Sequence, residues 1–393
     1  MLQDVVILSG VRTAIGDFGG ALKDVPAATL AKTVIAEAIS RAGIEAKQVQ
    51  HVVIGQVIPT KPEDVYLPRY ASVEAGVPIE SGAFAVNRLC GTGAQAIVSG
   101  AQLVTLGEAE FVVAGGVESM SRAPHHVTEA RFGQKFGTLN MLDALTATLS
   151  DPFEGCHMGI TAENVATRNN ITREKQDAAA LESHRRAAQA IAEGRFKDQI
   201  VPIEVKTRKG VVPFDTDEHV RADASLEDLA KLKPAFKKDG SVTAGNASGI
   251  NDGAAALVLA SAEAAKAAGL TPRARILGWG YAGVEPSLMG LGPVKAVPVA
   301  LKRAGLELDQ IDVIESNEAF AAQACAVAEE LSFDPEKTNI NGSGVSLGHP
   351  VGATGAILTV KAMYELERSG GRYGLITMCI GGGQGIAIVI ERI

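Results

Sequence analysis

Two nine-residue strings far apart in the chain, RAGIEAKQV (41–49) and RAGLELDQI (303–311), share Arg, Ala, Gly, Glu and Gln in register and exchange Ile for Leu and Val for Ile. Chance likeness between common α/β elements is one explanation, but the order of elements around the two copies also repeats. Before the first copy, residues 27–42 form a helical pattern with Leu30, Val34, Ala38 and Ala42 on one face, closed by Gly43, and the strand-like VQHVVIGQVI follows. The second copy closes a helix at Gly305 and leads into the strand-like DVIESN. Each half then offers a glycine-bearing loop that opens a helix of small residues, CGTGAQAIVSGAQLVTLG and HPVGATGAILTVKAMYEL. An apolar strand with glycines at its end comes next in both, FVVAGG and LITMCIGGG. A repeat on this scale reads as a duplicated α/β unit.

Between the halves the texture changes. From Ser119 to about Gly249 the chain is richer in charge, carries five of the seven histidines, and contains a polar segment, 161–193, that reads as one long helix. NDGAAALVLAS then reads as a strand returning to the first half. At 393 residues the chain exceeds one ordinary core. The expected division is residues 1–118 with 250–270 as a first half, 119–249 as an inserted domain, and 271–393 as a second half. Hydrophobic content of 46% with only 4% aromatics and 43 glycines suits elements packed closely through small side chains.

A net charge of −8 provides no basic face for nucleic acid. The uncharged stretches 89–107 and 338–360 are long enough to span a bilayer but are filled with Gly, Ser, Thr, Gln and Asn, so no membrane span is expected. The opening MLQDVVILSG lacks the basic start and long apolar run of a secretory leader, and a cytoplasmic location is expected. Cys90, Cys156, Cys325 and Cys379 have no CxxC spacing and read as reduced thiols.

Cys90, in VNRLCGTGAQAI, lies at the mouth of a helix expected to start near Gly93. A helix N-terminus stabilises a thiolate, which suits a nucleophile, although a small residue packing a helix start is the plainer reading. The G-x-G-x-x-A at 91–96 resembles a dinucleotide fingerprint, but Glu108 and Glu110 precede the next strand where an acidic residue should end it. His349 lies amid small residues in NGSGVSLGHPVGATGA. There G-x-S-x-G around Ser346 suggests a hydrolase elbow, except that no histidine follows His349. Asn317, at a strand end in ESNEAFAAQ, fits a cap for a helix starting near Glu318. Cys156–His157 and His125–His126 are neighbours whose side chains diverge, so no metal site is expected, and Cys325 reads as core. Cys379, in ITMCIGGGQGIAI, has three readings: core filler, part of a phosphate turn, or a reagent. No G-x-G-x-x-G can be laid on that string.

Together, NRLCGTGAQAI, NEAFAAQ, NGSGVSLGHPVGATG and MCIGGGQG resemble the signature blocks of the thiolase family, and GVESMSRAP, HMGITAENVA and TAGNASGINDGAAAL follow the family's order. The likeness extends over essentially the whole chain and is strongest to the biosynthetic members that join two short acyl-CoA molecules. It implies two βαβαβ halves in a five-layer α-β-α-β-α arrangement with an inserted loop domain, and a homotetramer held through an arm at about 121–145. It also implies acetyl-CoA and CoA as ligands and no cofactor beyond these substrates.

The resemblance assigns Cys90 as the acyl-accepting nucleophile, His349 as its activator and Cys379 as the acid/base acting on the second acetyl-CoA. One oxyanion hole would use the N–H groups of Cys90 and Gly381. The other would use His349 with a water held by Asn317. Ser248, Arg221, His157, Met158, Leu149 and Met289 would contact CoA or line its tunnel. Cys379 separates this pattern from decarboxylating ketosynthases and hydroxymethylglutaryl-CoA synthase-like enzymes, which lack a second cysteine in such a loop. The intact set argues against a non-catalytic acyl-CoA carrier.

Overall fold

The computed structural model describes residues 4–208 and 210–393; the first three residues of the opening segment lie outside the described residues. In chain order the first half supplies strand β1 (Val5–Arg12), helix α1 (Ala27–Arg41), β2 (His51–Gly55), α2 (Leu67–Glu74), β3 (Gly82–Val86), α3 (Thr92–Thr105) and β4 (Phe111–Ser119). The chain leaves the sheet there, forms α4 (Met158–Arg168) and α5 (Arg173–Ala192), and returns with β5 (Asn251–Ser261). The second half runs β6 (Ala274–Gly283), α6 (Gly292–Ala304), β7 (Val313–Ser316), α7 (Ala321–Leu331), α8 (Thr354–Ser369), β8 (Tyr373–Ile380) and β9 (Gln384–Arg392).

The duplication is visible strand by strand. In the first half β2 and β4 pair in parallel, and β5 and β1 then add antiparallel. In the second half β7 and β8 pair in parallel, and β9 and β6 add antiparallel. Even the irregularities match: β1 slips register between Ile7 and Ser9, and β6 between Ile276 and Gly278. The first half's edge strand β3 has a one-residue counterpart, the parallel bridge of Thr338 to Ile314. β1 and β6 join the half-sheets through only Val6↔Arg275 and Ile7↔Ala274.

Side chains alternate across each half-sheet, as a pleat requires. Ala255, Leu257 and Leu259 of β5 face a central core with α3, α8, Ile376 and Ile388, whereas Ala254, Ala256 and Val258 face α1. Leu375 and Val389 face α6 on the far side. The layers are therefore α1 and α2, the first half-sheet, α3 with α8, the second half-sheet, then α6 and α7. α8 is buried almost all round from Thr354 to Met363, as a helix between two sheets must be.

The repeated strings that reveal the duplication cap and turn the chain in the same way twice. Gly43 and Gly305 follow α1 and α6 with φ of +71° and +69°, a conformation glycine adopts without a Cβ penalty. The next turns are fastened by Glu45 N–H to Gln48 Oε1 at 2.9 Å and Glu307 N–H to Gln310 Oε1 at 2.8 Å.

Three local expectations change. Segment 161–193 is two helices, not one: α4 ends at Arg168, Asn170 turns left-handed with φ +54°, and the Thr172 hydroxyl caps α5 by accepting Lys175 N–H. The Asn-Asn pair and the capping Thr break a periodicity that continues in composition. The helix after Asn317 starts at Ala321 with Phe320 at its N-cap, so Asn317 directly follows β7 without capping the helix. The glycines of FVVAGG lie within β4 instead of ending it, and Gly116 has no room for a Cβ, which would meet Gly352 O.

Candidate active site

α3 and α8 each open with Thr-Gly-Ala, residues 92–94 and 354–356, and they meet at these first turns. A Cβ on Gly93 would stand 2.6 Å from Ala356 N, and one on Gly355 would be closer still to Ala94 N. The two backbones therefore touch, which only glycine permits. Cys90 sits in the turn entering α3 and His349 in the loop entering α8, so the crossing brings thiol and imidazole into one site.

The Cys90 turn is tightly specified. Leu89 is left-handed, with φ +46°, an uncommon state for a bulky residue. Asn87 Oδ1 accepts Leu89 N–H at 2.9 Å, and Thr92 Oγ1 accepts Arg88 N–H at 2.8 Å. The His349 loop is held from three sides. Asn251 Oδ1 accepts His349 N–H at 2.9 Å, buried Glu118 accepts Gly352 N–H at 2.9 Å, and Thr354 Oγ1 lies 2.6 Å from His349 Nδ1.

Cys90 and His349 open into a cavity of about 400 Å³, within the usual range for a small-molecule site. Its walls include Leu89, Leu149, His157, Met158, Met289, Gly381 and Ser248, and Arg221 stands at the solvent end beside Asp17 and His219. The His157 ring stacks on Phe236 at 4.7 Å, and Phe236 meets Phe320 edge-on, giving the cavity a rigid apolar side. The Arg221 segment is anchored from below. Fully buried Arg12 pairs bidentately with Asp217 at 2.7 and 2.9 Å, tying β1 to the segment that leads to His219 and Arg221.

Asn317 and Cys379 are fully buried and do not line the cavity. Asn317 Nδ2 lies 3.4 Å from His349 Nε2, and its Oδ1 has no hydrogen-bond partner. Cys379, at the end of β8, lies close enough that the Cys90 charge would raise its pKa. Among the described residues no cluster of His, Cys, Asp and Glu is arranged to hold a metal ion.

The electrostatics favour a neutral resting pair. Burial pushes the Cys90 thiol up, while the nearby N–H groups of Gly381 and of Cys90 itself favour the thiolate and pull it down. The net direction is upward, opposite to the expectation from the helix N-terminus, because desolvation outweighs the two donors. Burial also lowers His349 to about 4, so the imidazole is uncharged at neutral pH. Cys379 is raised strongly by burial. Glu118 is raised to about 8 by burial against three backbone donors, Val57, Ile58 and Gly352.

Residues 5–263 match the thiolase N-terminal domain and residues 270–392 the thiolase C-terminal domain. The chain belongs to the thiolase family. This thiolase is 58% identical to the beta-ketothiolase BktB of Cupriavidus necator over the full length of both chains. Its fold superposes on an acetyl-CoA acetyltransferase of Bacillus anthracis with TM-score 0.97 at 48% identity, covering 100% of this chain and 99% of the other. The human mitochondrial 3-ketoacyl-CoA thiolase in complex with CoA superposes with TM-score 0.97 at 44% identity, covering 100% and 98%.

Several residues that shape the thiolase site escaped the sequence reading. Thr354 was signalled by the doubled Thr-Gly-Ala, which marks equivalent positions in the two halves. Glu118 is an acidic residue inside the strand β4, an anomaly in an apolar run. Asn251 and Leu89 carried no signal, since their roles depend on a loop far away in sequence and on a backbone angle.

Proposed function

We propose that this thiolase is an acetyl-CoA C-acetyltransferase, a β-ketothiolase that reversibly condenses two short acyl-CoA molecules to a 3-ketoacyl-CoA and CoA through an acyl-cysteine. The observation that carries the proposal is one cavity wall joining Cys90 and His349, with Gly381 on the same wall and the thiol of Cys379 buried nearby.

His349 takes the Cys90 proton as the sulfur attacks the first thioester, so charge separates only during reaction. The N–H groups of Cys90 and Gly381 would receive the oxygen of an acyl-Cys90, and His349 with a water on Asn317 would form the second hole. The departing CoA thiolate takes the proton of Cys379, leaving a thiolate opposite the protonated imidazole. That thiolate is the base that removes the α-proton of the second acetyl-CoA. The resulting enolate attacks the acyl-Cys90 carbonyl, a C–C bond forms, and Cys90 leaves and recovers its proton from His349. Cys379 and His349 end as they began, and no metal or further cofactor enters the balance.

Ser248, His157, Met158, Leu149 and Met289 would line the pantetheine and acyl tunnel, with Arg221 at the nucleotide end. The likeness to family members supports a homotetramer joined through the arm at 121–145, which exposes Phe132, Phe136 and Met141. Four unpaired cysteines fit a cytoplasmic setting. Labelled acetyl-CoA should label Cys90 covalently, and a Cys90→Ala variant that still carries label and turns over would sink the proposal. Cys379→Ala should keep acylation and lose condensation. Comparing acetoacetyl-CoA, 3-ketovaleryl-CoA and 3-ketohexanoyl-CoA gives the chain-length preference.

A further inference from the structure

We infer that Thr354 is a positioning residue that selects the His349 tautomer with its proton on Nδ1, leaving the Nε2 lone pair free to act as base toward Cys90. The inference rests on the function proposed above and adds a third member behind the thiol and imidazole.

Thr354 Oγ1 has one proton and two neighbours that could take it. It lies 3.0 Å from Pro350 O and 2.6 Å from His349 Nδ1. If the hydroxyl donates to Pro350 O, Nδ1–H donates to Oγ1, and Nε2 presents its lone pair. The Asn317 amide nitrogen, 3.4 Å from Nε2, then faces an acceptor. In the opposite arrangement Nε2–H would face that amide donor, and neither would be satisfied. The first arrangement pairs both ring nitrogens, the Thr354 hydroxyl and the Asn317 amide nitrogen. Thr354 and His349 are 2% and 5% exposed, so water is not available to substitute for the hydroxyl.

The Thr354 contact also serves the charged state. After His349 has taken a proton on Nε2, Nδ1–H still donates to Thr354, so that side of the ring keeps its partner during the reaction. Because the third member is a hydroxyl and not a carboxylate, it orients the ring without adding negative charge behind it. The charged or titratable groups around the loop are Cys90 and Cys379 across the site, Glu118 holding Gly352 N–H, and Asp252 beside Asn251. None of them touches Nδ1, so the ring orientation depends on Thr354.

The doubled Thr-Gly-Ala gives independent support. At the equivalent place in the first half, Thr92 turns its hydroxyl oxygen to a backbone donor, Arg88 N–H, and shapes the nucleophile's turn. The duplicated position in both halves thus uses a hydroxyl as acceptor, and in the second half the donor has become the imidazole.

Two measurements test this. In protein labelled with 15N-histidine, with the His349 signal assigned by its loss in His349→Asn, the resting ring should show the Nδ1–H tautomer; an Nε2–H ring would overturn the inference whatever the enzyme's activity. The pH profile of iodoacetamide alkylation at Cys90 gives the second readout. Thr354→Val should slow alkylation near neutral pH by on the order of 10- to 100-fold and move the profile to higher pH. That is less than the roughly 10⁴-fold loss when an orienting carboxylate is removed from a serine protease. Thr354→Ser should restore both rate and profile, and Thr354→Ala carries the same test if the valine variant does not fold. A valine or alanine variant with an unshifted profile, or a serine variant that restores nothing, would also overturn it. If wild type fails to form acyl-Cys90, the proposed function fails, whereas the tautomer measurement stands apart from that result.

Discussion

The crossing of α3 and α8 sets the separation between thiol and imidazole, so the most informative perturbation is Gly93→Ala. The added Cβ would lie 2.6 Å from Ala356 N and 3.0 Å from Ala353 O, both backbone atoms with no side chain to swing away. A comfortable contact needs roughly 3.5 Å, so the helices must part by about 1 Å at the turns that hold Cys90 and His349. Overpacking of this kind costs about 1–3 kcal/mol. Alanine in place of glycine in an unobstructed helix would instead stabilise by at most about 1 kcal/mol, so the sign of the change is itself diagnostic. A displacement of about 1 Å between reacting groups can cost on the order of 10²-fold in rate. The expected outcome is a lowered thermal midpoint, kcat/KM for acetoacetyl-CoA thiolysis down by about that factor, and slower alkylation of Cys90. A variant with a raised midpoint and wild-type turnover would show that the helix ends are not locked against each other.

Lys361 and Glu315 form a fully buried ion pair at 2.7 Å between α8 and β7, so Lys361→Met should destabilise by about 3–5 kcal/mol at pH 8, measured by denaturant unfolding. Glu315 is raised to about 7 even with its partner, so the penalty should shrink well below that pH as the carboxyl takes up a proton. Burial lowers His184 to about 4 from 6.5, so between these values the unfolded chain binds a proton that the folded one does not, and this contribution to stability falls as pH drops from 6.5 to 4. His184→Asn, which can still accept Arg221 N–H, should show a shallower decline than wild type over that window. Phe136 is 90% exposed, and on the proposed assembly through the 121–145 arm Phe136→Asp should shift the protein from tetramer to dimer on size exclusion, whereas an unchanged elution would exclude the arm from assembly.

The duplicated halves were legible because their turns use the same atoms twice. Gly43 and Gly305 both need positive φ, and Glu45–Gln48 and Glu307–Gln310 close the same turn, so selection on local geometry left matching letters. Local periodicity misled where a cap interrupted it without changing the composition, as at Asn170 and Thr172 between α4 and α5. Contacts between distant parts of the chain left no sequence trace: Arg12 reads as an ordinary residue after a strand until Asp217 folds onto it. The direction of the Cys90 shift was illegible for a related reason. A helix N-terminus can be inferred from a string, but the depth of the surrounding protein cannot, and here depth dominates.

The duplication also explains why the two reactive groups are matched. A helix N-terminus favours an anion and disfavours a cation, so the start of α3 assists a thiolate at Cys90, and the start of α8 resists a positive charge on His349. Burial acts in the same direction on the imidazole, giving a ring of about 4, and against the helix on the thiol, leaving it protonated. Neither group is therefore charged in the free site, and a thiolate–imidazolium pair is populated only when something else stabilises it. On the function proposed above, a thioester carbonyl against the N–H groups of Cys90 and Gly381 would be that stabiliser, since negative charge would move from sulfur to an oxygen facing two donors.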